Sequence, residues 1–233
     1  MGLSRGEIAR LTSQGRPILC IDTCSVLDIM RDPTRDTMLP RESQAALHLY
    51  ECMTTHSSLV TLISDQVRFE LAANIDAVEK ETKAALEKLS ARIARVDAIA
   101  AEFGATGAAL TGHLADHSSR ARSVTNRWVA ACETAPQSAD VANRALSRVN
   151  QALAPARKGK ESMKDCVVLE TYLEAVSRLR AAGLTSRIVL LSSNVKDYTD
   201  EGGRLRPELV SEFTALGMEY AQNFGAARHF LGV

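Results

Sequence analysis

The chain has 233 residues, of which 45% are hydrophobic, and its 28 Lys and Arg residues balance its 28 Asp and Glu residues. This length can bury a full core, which fits one domain with an elaboration or at most two small domains. The neutral total excludes a polybasic, histone-like nucleic-acid binder, and an aromatic content of 4% argues against a stacking platform for single strands. Any contact with nucleic acid must therefore be local.

Nothing in the sequence suggests a membrane protein or an exported one. It contains no apolar run of about 18 residues, and its polar beginning lacks the apolar stretch of a signal peptide. The five cysteines are scattered without a CxxC pair, which is typical of reduced, packed thiols. We therefore expect a cytoplasmic protein with no membrane partner.

Short apolar runs rich in strand formers recur along the chain. They cover residues 18–21, 58–63 and 187–191, and a weaker one covers 218–221. Ser64 and Asp65 are suited to cap a helix over 66–74, and a further helix is predicted over 165–179. Continuously apolar strands separated by helices predict an α/β fold with a parallel sheet covered on both faces.

The middle of the chain has a different pattern. Apolar side chains at heptad spacing occupy 86–103 and again 110–131, and a third amphipathic stretch covers 142–153. These seams predict long helices packed as an antiparallel hairpin or a three-helix arm. We expect one domain over 1–233 with a helical insertion over 76–160.

Four acidic residues stand where the ends of the predicted strands converge. Asp22 follows the first strand, Asp197 follows the third, Glu70 lies on the helix after the second, and Asp165 opens the helix that leads into the third. Ligands of open parallel sheets bind beyond the carboxyl ends of the strands. Each acid alone also has a structural interpretation, such as a helix cap or an Asx turn. The functional interpretation depends on their convergence.

A cluster of carboxylates needs a positive partner. Two like charges about 4 Å apart repel by about 4 kcal/mol even at an effective dielectric constant near 20. Carboxylate oxygens without accompanying His or Cys select Mg²⁺ or Mn²⁺ rather than Zn²⁺. Such a cation can activate water and neutralise a phosphate, as in many nucleases and phosphatases.

The surroundings of these acids resemble the PIN-domain ribonucleases. The resemblance is carried by four segments in order, 21–27, 67–71, 164–173 and 191–198. It implies a PIN-like parallel sheet flanked by helices and a hydrolase that cleaves RNA phosphodiesters with metal-activated water, as an endoribonuclease that is toxin-like or processes RNA. Asp22, Glu70, Asp165 and Asp197 match the family's catalytic and metal-binding acids.

The resemblance also implies two supporting residues. Ser25 matches a small hydroxyl that supports the first acid, and Asn194 matches a polar residue beside the last acid, where many members carry another acid. The large insertion sets the chain apart from a minimal toxin. The insertion offers an amphipathic surface for a homodimer or a protein partner.

Further charged residues near Asp165 have two interpretations each. Glu170 could add a ligand or position water, or it could be a solvated helix residue. A basic loop with Lys164 beside it could grip substrate phosphates, or it could be a solvated charged loop. The basic side chains concerned are Arg157, Lys158, Lys160 and Lys164.

Three functional hypotheses follow from the sequence. The main one is a Mg²⁺- or Mn²⁺-dependent nuclease acting on RNA, with DNA left open as a substrate. A second keeps the fold as a catalytically inactive RNA- or protein-binding module. A third, an Asp-based phosphatase, would need a second Asp two positions after Asp22, where the sequence has Cys24.

Overall fold

A computed structural model describes residues 2–157, 159 and 161–233. Lys158 and Lys160, which we predicted to bind substrate, lie outside the described residues. Among the described residues, the sheet has five parallel strands in the order β3-β2-β1-β4-β5. The strands are β1 (Ile18–Ile21), β2 (Val60–Ser64), β3 (Glu133–Ala135), β4 (Ile188–Leu191) and β5 (Met218–Ala221).

Helices cover the sheet and connect its strands. They are α1 (Arg5–Gln14), α2 (Thr23–Asp28), α3 (Pro40–Thr54), α4 (Asp65–Glu102), α5 (His117–Ala130), α6 (Ala139–Asn150), α7 (Met163–Ala181), α8 (Val195–Tyr198), α9 (Pro207–Leu216) and α10 (Phe224–Leu231). Within the described ranges, no helix combines the length and hydropathy needed to cross a membrane.

The central strands are buried along their whole length. Every residue of β1, β2 and β4 is buried, which is why these segments are continuously apolar rather than alternating. In the register of the sheet, Ile18 lies between Val60 and Ile188, and Ile21 pairs with Leu191. The predicted α/β fold with a parallel sheet and flanking helices is confirmed.

The helix predicted after β2 and the first heptad seam form one continuous helix. α4 begins after Ser64, whose hydroxyl accepts a hydrogen bond from the Val67 N–H at 3.2 Å, and it runs for 38 residues. α5 packs against α4, so these two helices realise the predicted hairpin. The far end of α4 is uncovered, and the side chain of Phe103 is 87% exposed.

The third amphipathic stretch does not join this hairpin, which corrects the three-helix alternative. α6 packs against α7, and the short strand β3 between α5 and α6 pairs in parallel with β2. The sequence pattern did not reveal β3 because it has three residues and no apolar run. Segment 76–160 therefore contributes to the sheet, and its treatment as a separate insertion stays a prediction.

A tyrosine beneath the sheet edge ties α7 to two strands. The fully buried Tyr172 hydroxyl donates to the Ile21 carbonyl oxygen at 2.6 Å and accepts from the Ser64 N–H at 3.0 Å. These are the last residues of β1 and β2. The helix that carries Asp165 is thereby held directly below the carboxyl ends of the strands.

Candidate active site

Asp22 lies at the centre of the carboxyl edge and is 4% exposed. It is the N-cap of α2, and its Oδ1 accepts from the Thr23 N–H at 2.7 Å. Its Oδ2 accepts from Ser192 Oγ at 2.6 Å and from Cys24 Sγ at 3.1 Å. Burial raises the pKa of the Asp22 carboxyl, hydrogen bonds from Ser192 and Cys24 oppose the rise, and the charge of Glu70 adds to it. The capping and functional interpretations of Asp22 are thus compatible.

Glu70 reaches Asp22 through a shared threonine. Thr23 Oγ1 donates to Glu70 Oε2 at 2.8 Å, while the Thr23 N–H binds Asp22. Gln66, one turn earlier on α4, donates to Glu70 Oε1 at 2.8 Å. Two acids from different elements are therefore held side by side, with each carboxylate oriented by a neutral donor.

Asp197 lies in α8 and is 1% exposed. Asn194 donates from Nδ2 to Asp197 Oδ2 at 2.6 Å, so Asn194 lies beside this acid, as the resemblance implied. Arg157 Nη1 lies 3.6 Å from Asp197 Oδ1. The start of the basic loop therefore reaches the acidic edge, although its arginine pairs with a carboxylate here.

Asp165 lies in the first turn of α7, near the phenol of Tyr198. Burial raises the pKa of Tyr198, and the charges of Asp22 and Asp165 raise it further. Within the part of the chain that the structure describes, the buried Tyr198 hydroxyl has no hydrogen-bond partner. The Tyr198 ring stacks on Tyr220 at 5.4 Å, and the Tyr220 hydroxyl donates to the Ser192 carbonyl oxygen at 2.9 Å.

These residues fit a divalent cation in part. Nowhere among residues 2–157, 159 and 161–233 do three or more His, Cys, Asp or Glu side chains form a group suited to hold a metal, and the predicted four-acid metal site stays a prediction. Mg²⁺ commonly uses one or two carboxylates, completed by water and substrate phosphates. The Asp22–Glu70 pair and the unpartnered Tyr198 hydroxyl agree with that kind of site.

Two supporting predictions are corrected by the contacts. Ser25 is buried, but its hydroxyl accepts from the Ser193 N–H at 2.9 Å, so it supports the loop after β4 and not Asp22. Glu170 does not join the acids, because its two oxygens accept from Arg144 at 3.1 Å and Arg148 at 2.8 Å on α6. Glu170 faces α6 because it is buried and needs these cations.

Arg157 and Lys164, the predicted substrate-binding residues that the structure describes, are exposed. Arg157 precedes α7, and Lys164 lies in its first turn next to Asp165. The Arg157 N–H donates to Ser162 Oγ at 3.4 Å, and Ser162 is the N-cap residue of α7. The Ser162 side chain makes no capping hydrogen bond to α7.

Thr23 and Ser192 orient the acids but were not predicted as site residues from the sequence. The signal for Ser192 was present, because it follows β4 just as Asp22 follows β1, and the pairing of Ile21 with Leu191 sets the two next to each other. Thr23 carried no such signal, since its role depends on the approach of α4. Both side chains are donors that orient an acid.

Tyr198→Phe is expected to leave the melting temperature unchanged or raise it, because an unpartnered buried hydroxyl already carries its desolvation cost. Tyr220→Phe is the matched control. It removes the hydrogen bond to the Ser192 carbonyl oxygen and should cost about 1 kcal/mol of unfolding free energy. Thermal unfolding of the metal-free proteins measures both. Equal losses in the two variants would show that the Tyr198 hydroxyl is satisfied.

Comparison with known proteins gives one match. A family model described as PIN domain matches residues 19–198, a span that includes all four acids. Proteins of this family are generally nucleases that bind nucleic acid, and they typically use divalent metals. A search of curated proteins and a search of solved structures found no match. Because this family model matches more than half of the chain, the protein belongs to the PIN-domain family.

Proposed function

We propose that the protein is a Mg²⁺- or Mn²⁺-dependent endoribonuclease that hydrolyses RNA phosphodiester bonds. The observation that carries this proposal is the Asp22–Glu70 pair, bridged by Thr23 at the carboxyl edge of a PIN-domain sheet. Two carboxylates held together with only neutral hydrogen-bond donors on them repel each other, and a divalent cation would relieve the repulsion. Without the cation, the repulsion between Asp22 and Glu70 would destabilise the folded protein.

Asp22 and Glu70 would hold the cation, with Asp165 and Asp197 supplying further oxygen ligands from α7 and α8. A bound divalent cation would neutralise charge on the phosphate and lower the pKa of water. Ser192 and Cys24 keep the Asp22 carboxylate in one orientation, and Asn194 does the same for Asp197. These hydrogen bonds preorganise the ligands.

Substrate phosphates would meet the basic residues next to the acids. The Arg157 side chain is 46% exposed and pairs loosely with Asp197. A substrate phosphate could therefore replace Asp197 as the partner of its guanidinium group. Lys164 lies one residue before Asp165, and Lys158 and Lys160 are proposed to add positive charge for substrate binding. RNA is the proposed substrate, and a DNA strand of equal sequence tests the selectivity. A toxin-like or an RNA-processing role fits this activity.

Glu70→Gln tests the proposal, with Glu87→Gln on the exposed face of the same helix as its control. Labelled single-stranded RNA is incubated with Mn²⁺ or with EDTA. We expect cleavage only with the cation, a loss of at least about 100-fold in Glu70→Gln, and parental rates in Glu87→Gln. Absence of cleavage by folded parent with either cation, together with absence of Mn²⁺ binding, would refute the nuclease proposal.

The second candidate is a non-catalytic RNA- or protein-binding module. Two observations favour it: no compact group of three acids forms in the described ranges, and Arg157 approaches Asp197. This candidate predicts that RNA is retained without turnover and that Glu70→Gln leaves retention unchanged. Filter binding on the same RNA, run beside the cleavage assay, separates the two functions.

A further inference from the structure

A cavity of about 720 Å³ opens beside the acids at the same edge of the sheet. We call it the side cavity and define it by Ser25, Ser193, Leu47, Val124, Trp128 and Phe224. The Ser193 N–H donates to Ser25 Oγ, and the preceding residue, Ser192, donates to Asp22. The loop that orients Asp22 therefore forms one wall of the side cavity.

The deep part of the side cavity is apolar and well packed. Trp128 is fully buried, its Nε1–H donates to the Ala46 carbonyl oxygen at 3.0 Å, and its ring meets Phe224 edge-on at 6.2 Å. Leu47, which is 45% exposed, and the half-buried Val124 stand nearer the opening. Trp128 and Phe224 expose almost no surface, so Leu47 and Val124 supply the apolar surface that is open to a ligand.

The polar groups of the side cavity carry both signs of charge. Arg31 Nη1 lies 3.3 Å from Asp28 Oδ1, and Arg120 pairs with Asp116. Asn223 caps α10 through Oδ1, which accepts from the Ala226 N–H at 2.8 Å. Its NH₂ group can therefore donate a hydrogen bond to a ligand in the side cavity. The arginines already have acidic partners, which disfavours a site for a lone phosphate. An uncharged ring with hydrogen-bonding edges fits better.

From these features we infer that the side cavity binds an unstacked nucleobase of single-stranded RNA, next to the phosphate that the proposed cation at Asp22 would bind. The inference deepens the proposed function and rests on it. Proteins that read single-stranded RNA splay bases out, pack them on aromatic or apolar side chains and hydrogen-bond their edges. The side cavity has the volume of a small-molecule pocket and shares a wall with the acids. It would select the base beside the cleaved bond.

The single tryptophan of the chain provides a probe that needs no cleavage. Each of the four nucleoside 5′-monophosphates is titrated into the full protein in EDTA while Trp128 emission is followed, and ribose 5-phosphate serves as the base-free probe. We expect saturable changes that differ among the bases, and none with ribose 5-phosphate. A response to ribose 5-phosphate equal to that of the nucleotides, or no response up to the millimolar range, would overturn the inference.

Filling the side cavity should remove this binding. Val124→Phe places an aromatic ring in the side cavity, and Asn126→Phe adds the same ring at an exposed position of α5. We expect affinity to fall by at least about tenfold in Val124→Phe and to stay parental in Asn126→Phe. Leu47→Phe, at the half-exposed opening, repeats the test if Val124→Phe does not fold. Equal affinity in the filled variants and the parent would refute the site.

Cleavage separates this inference from the proposed function. If Val124→Phe abolishes base-dependent binding but the parent never cleaves RNA, base binding in the side cavity is supported and the nuclease proposal is refuted. If metal-dependent cleavage has the same sequence preference in Val124→Phe and the parent, the nuclease proposal is supported and base binding in the side cavity is refuted. A preference that Val124→Phe loses while Asn126→Phe keeps it supports both.

Discussion

Asp22→Asn is expected to stabilise the metal-free protein while removing its Mn²⁺ binding and RNA cleavage. The parent holds a buried carboxylate beside Glu70, and burial together with that charge disfavours its ionised form. Asn keeps the size and an acceptor oxygen without the charge. At neutral pH we expect a gain of about 1 kcal/mol, which raises the melting temperature by about 2–4 °C for a chain of this size.

The gain in Asp22→Asn should depend on pH in a defined direction. The folded pKa of Asp22 lies above the ordinary value of 3.8, so between these two values the native state binds more protons than the unfolded state. The stability that Asp22 contributes is therefore present below about pH 3.8 and is lost as the pH rises through the folded pKa. The difference between variant and parent should be smallest in acid and should grow toward neutral pH.

Mn²⁺ should reverse the order of the two proteins. A cation at 100 times its dissociation constant stabilises the parent by about 2.7 kcal/mol, and Asp22→Asn should not respond. Isothermal titration and thermal scans with and without Mn²⁺ measure this, and Asp36→Asn at an exposed loop position serves as control. If Asp22→Asn were less stable than the parent without metal, the main role of the Asp22 carboxylate would be to cap α2. If both proteins bound Mn²⁺ equally, the proposed metal site would be wrong.

Arg148→Met is expected to cause the largest loss of stability among the variants considered. Arg148 is 5% exposed and donates to Glu170 at 2.8 Å, to the Ala154 carbonyl oxygen at 2.6 Å and to Glu212 at 2.6 Å. Removing one partner of a buried ion pair leaves an uncompensated charge, which costs about 3–5 kcal/mol. Since Arg144 still reaches Glu170, we expect about 3 kcal/mol, or a fall in melting temperature of about 6–12 °C.

Arg144→Met is the matched control for this prediction. Its side chain is 41% exposed and pairs with Glu170 and Glu174 near the surface, so its loss should cost less than about 1 kcal/mol. The double variant Arg148→Met/Glu170→Leu should recover much of the loss, because it removes Glu170, the more buried of the two carboxylates that lose Arg148. Denaturant unfolding of the four proteins measures these differences. A loss in Arg144→Met as large as that in Arg148→Met would mean that the pairs act as one surface network.

The candidate site could be predicted from the sequence to the extent that its residues follow strands. Asp22 directly follows an apolar run, and the parallel register then brings it next to Ser192 after β4. Glu170 could not be assigned in this way, because two arginines on α6 decide its role, and they are close only after α6 packs on α7. The side cavity combines residues of α2, α3, α5 and α10 with the loop after β4, and these segments are far apart in the chain.

Local sequence patterns predicted the parallel sheet, the long helix and the place of Asp22 directly after the first strand. These features depend on local hydrophobic periodicity and on the rule that the carboxyl ends of parallel strands meet. The folded structure was needed to show that β3 joins the sheet, that Ser192 and not Ser25 supports Asp22, and that the buried Tyr198 hydroxyl has no hydrogen-bond partner among the described residues. These features depend on contacts between distant segments, and a short strand or a single polar side chain leaves no periodic signal of such a contact.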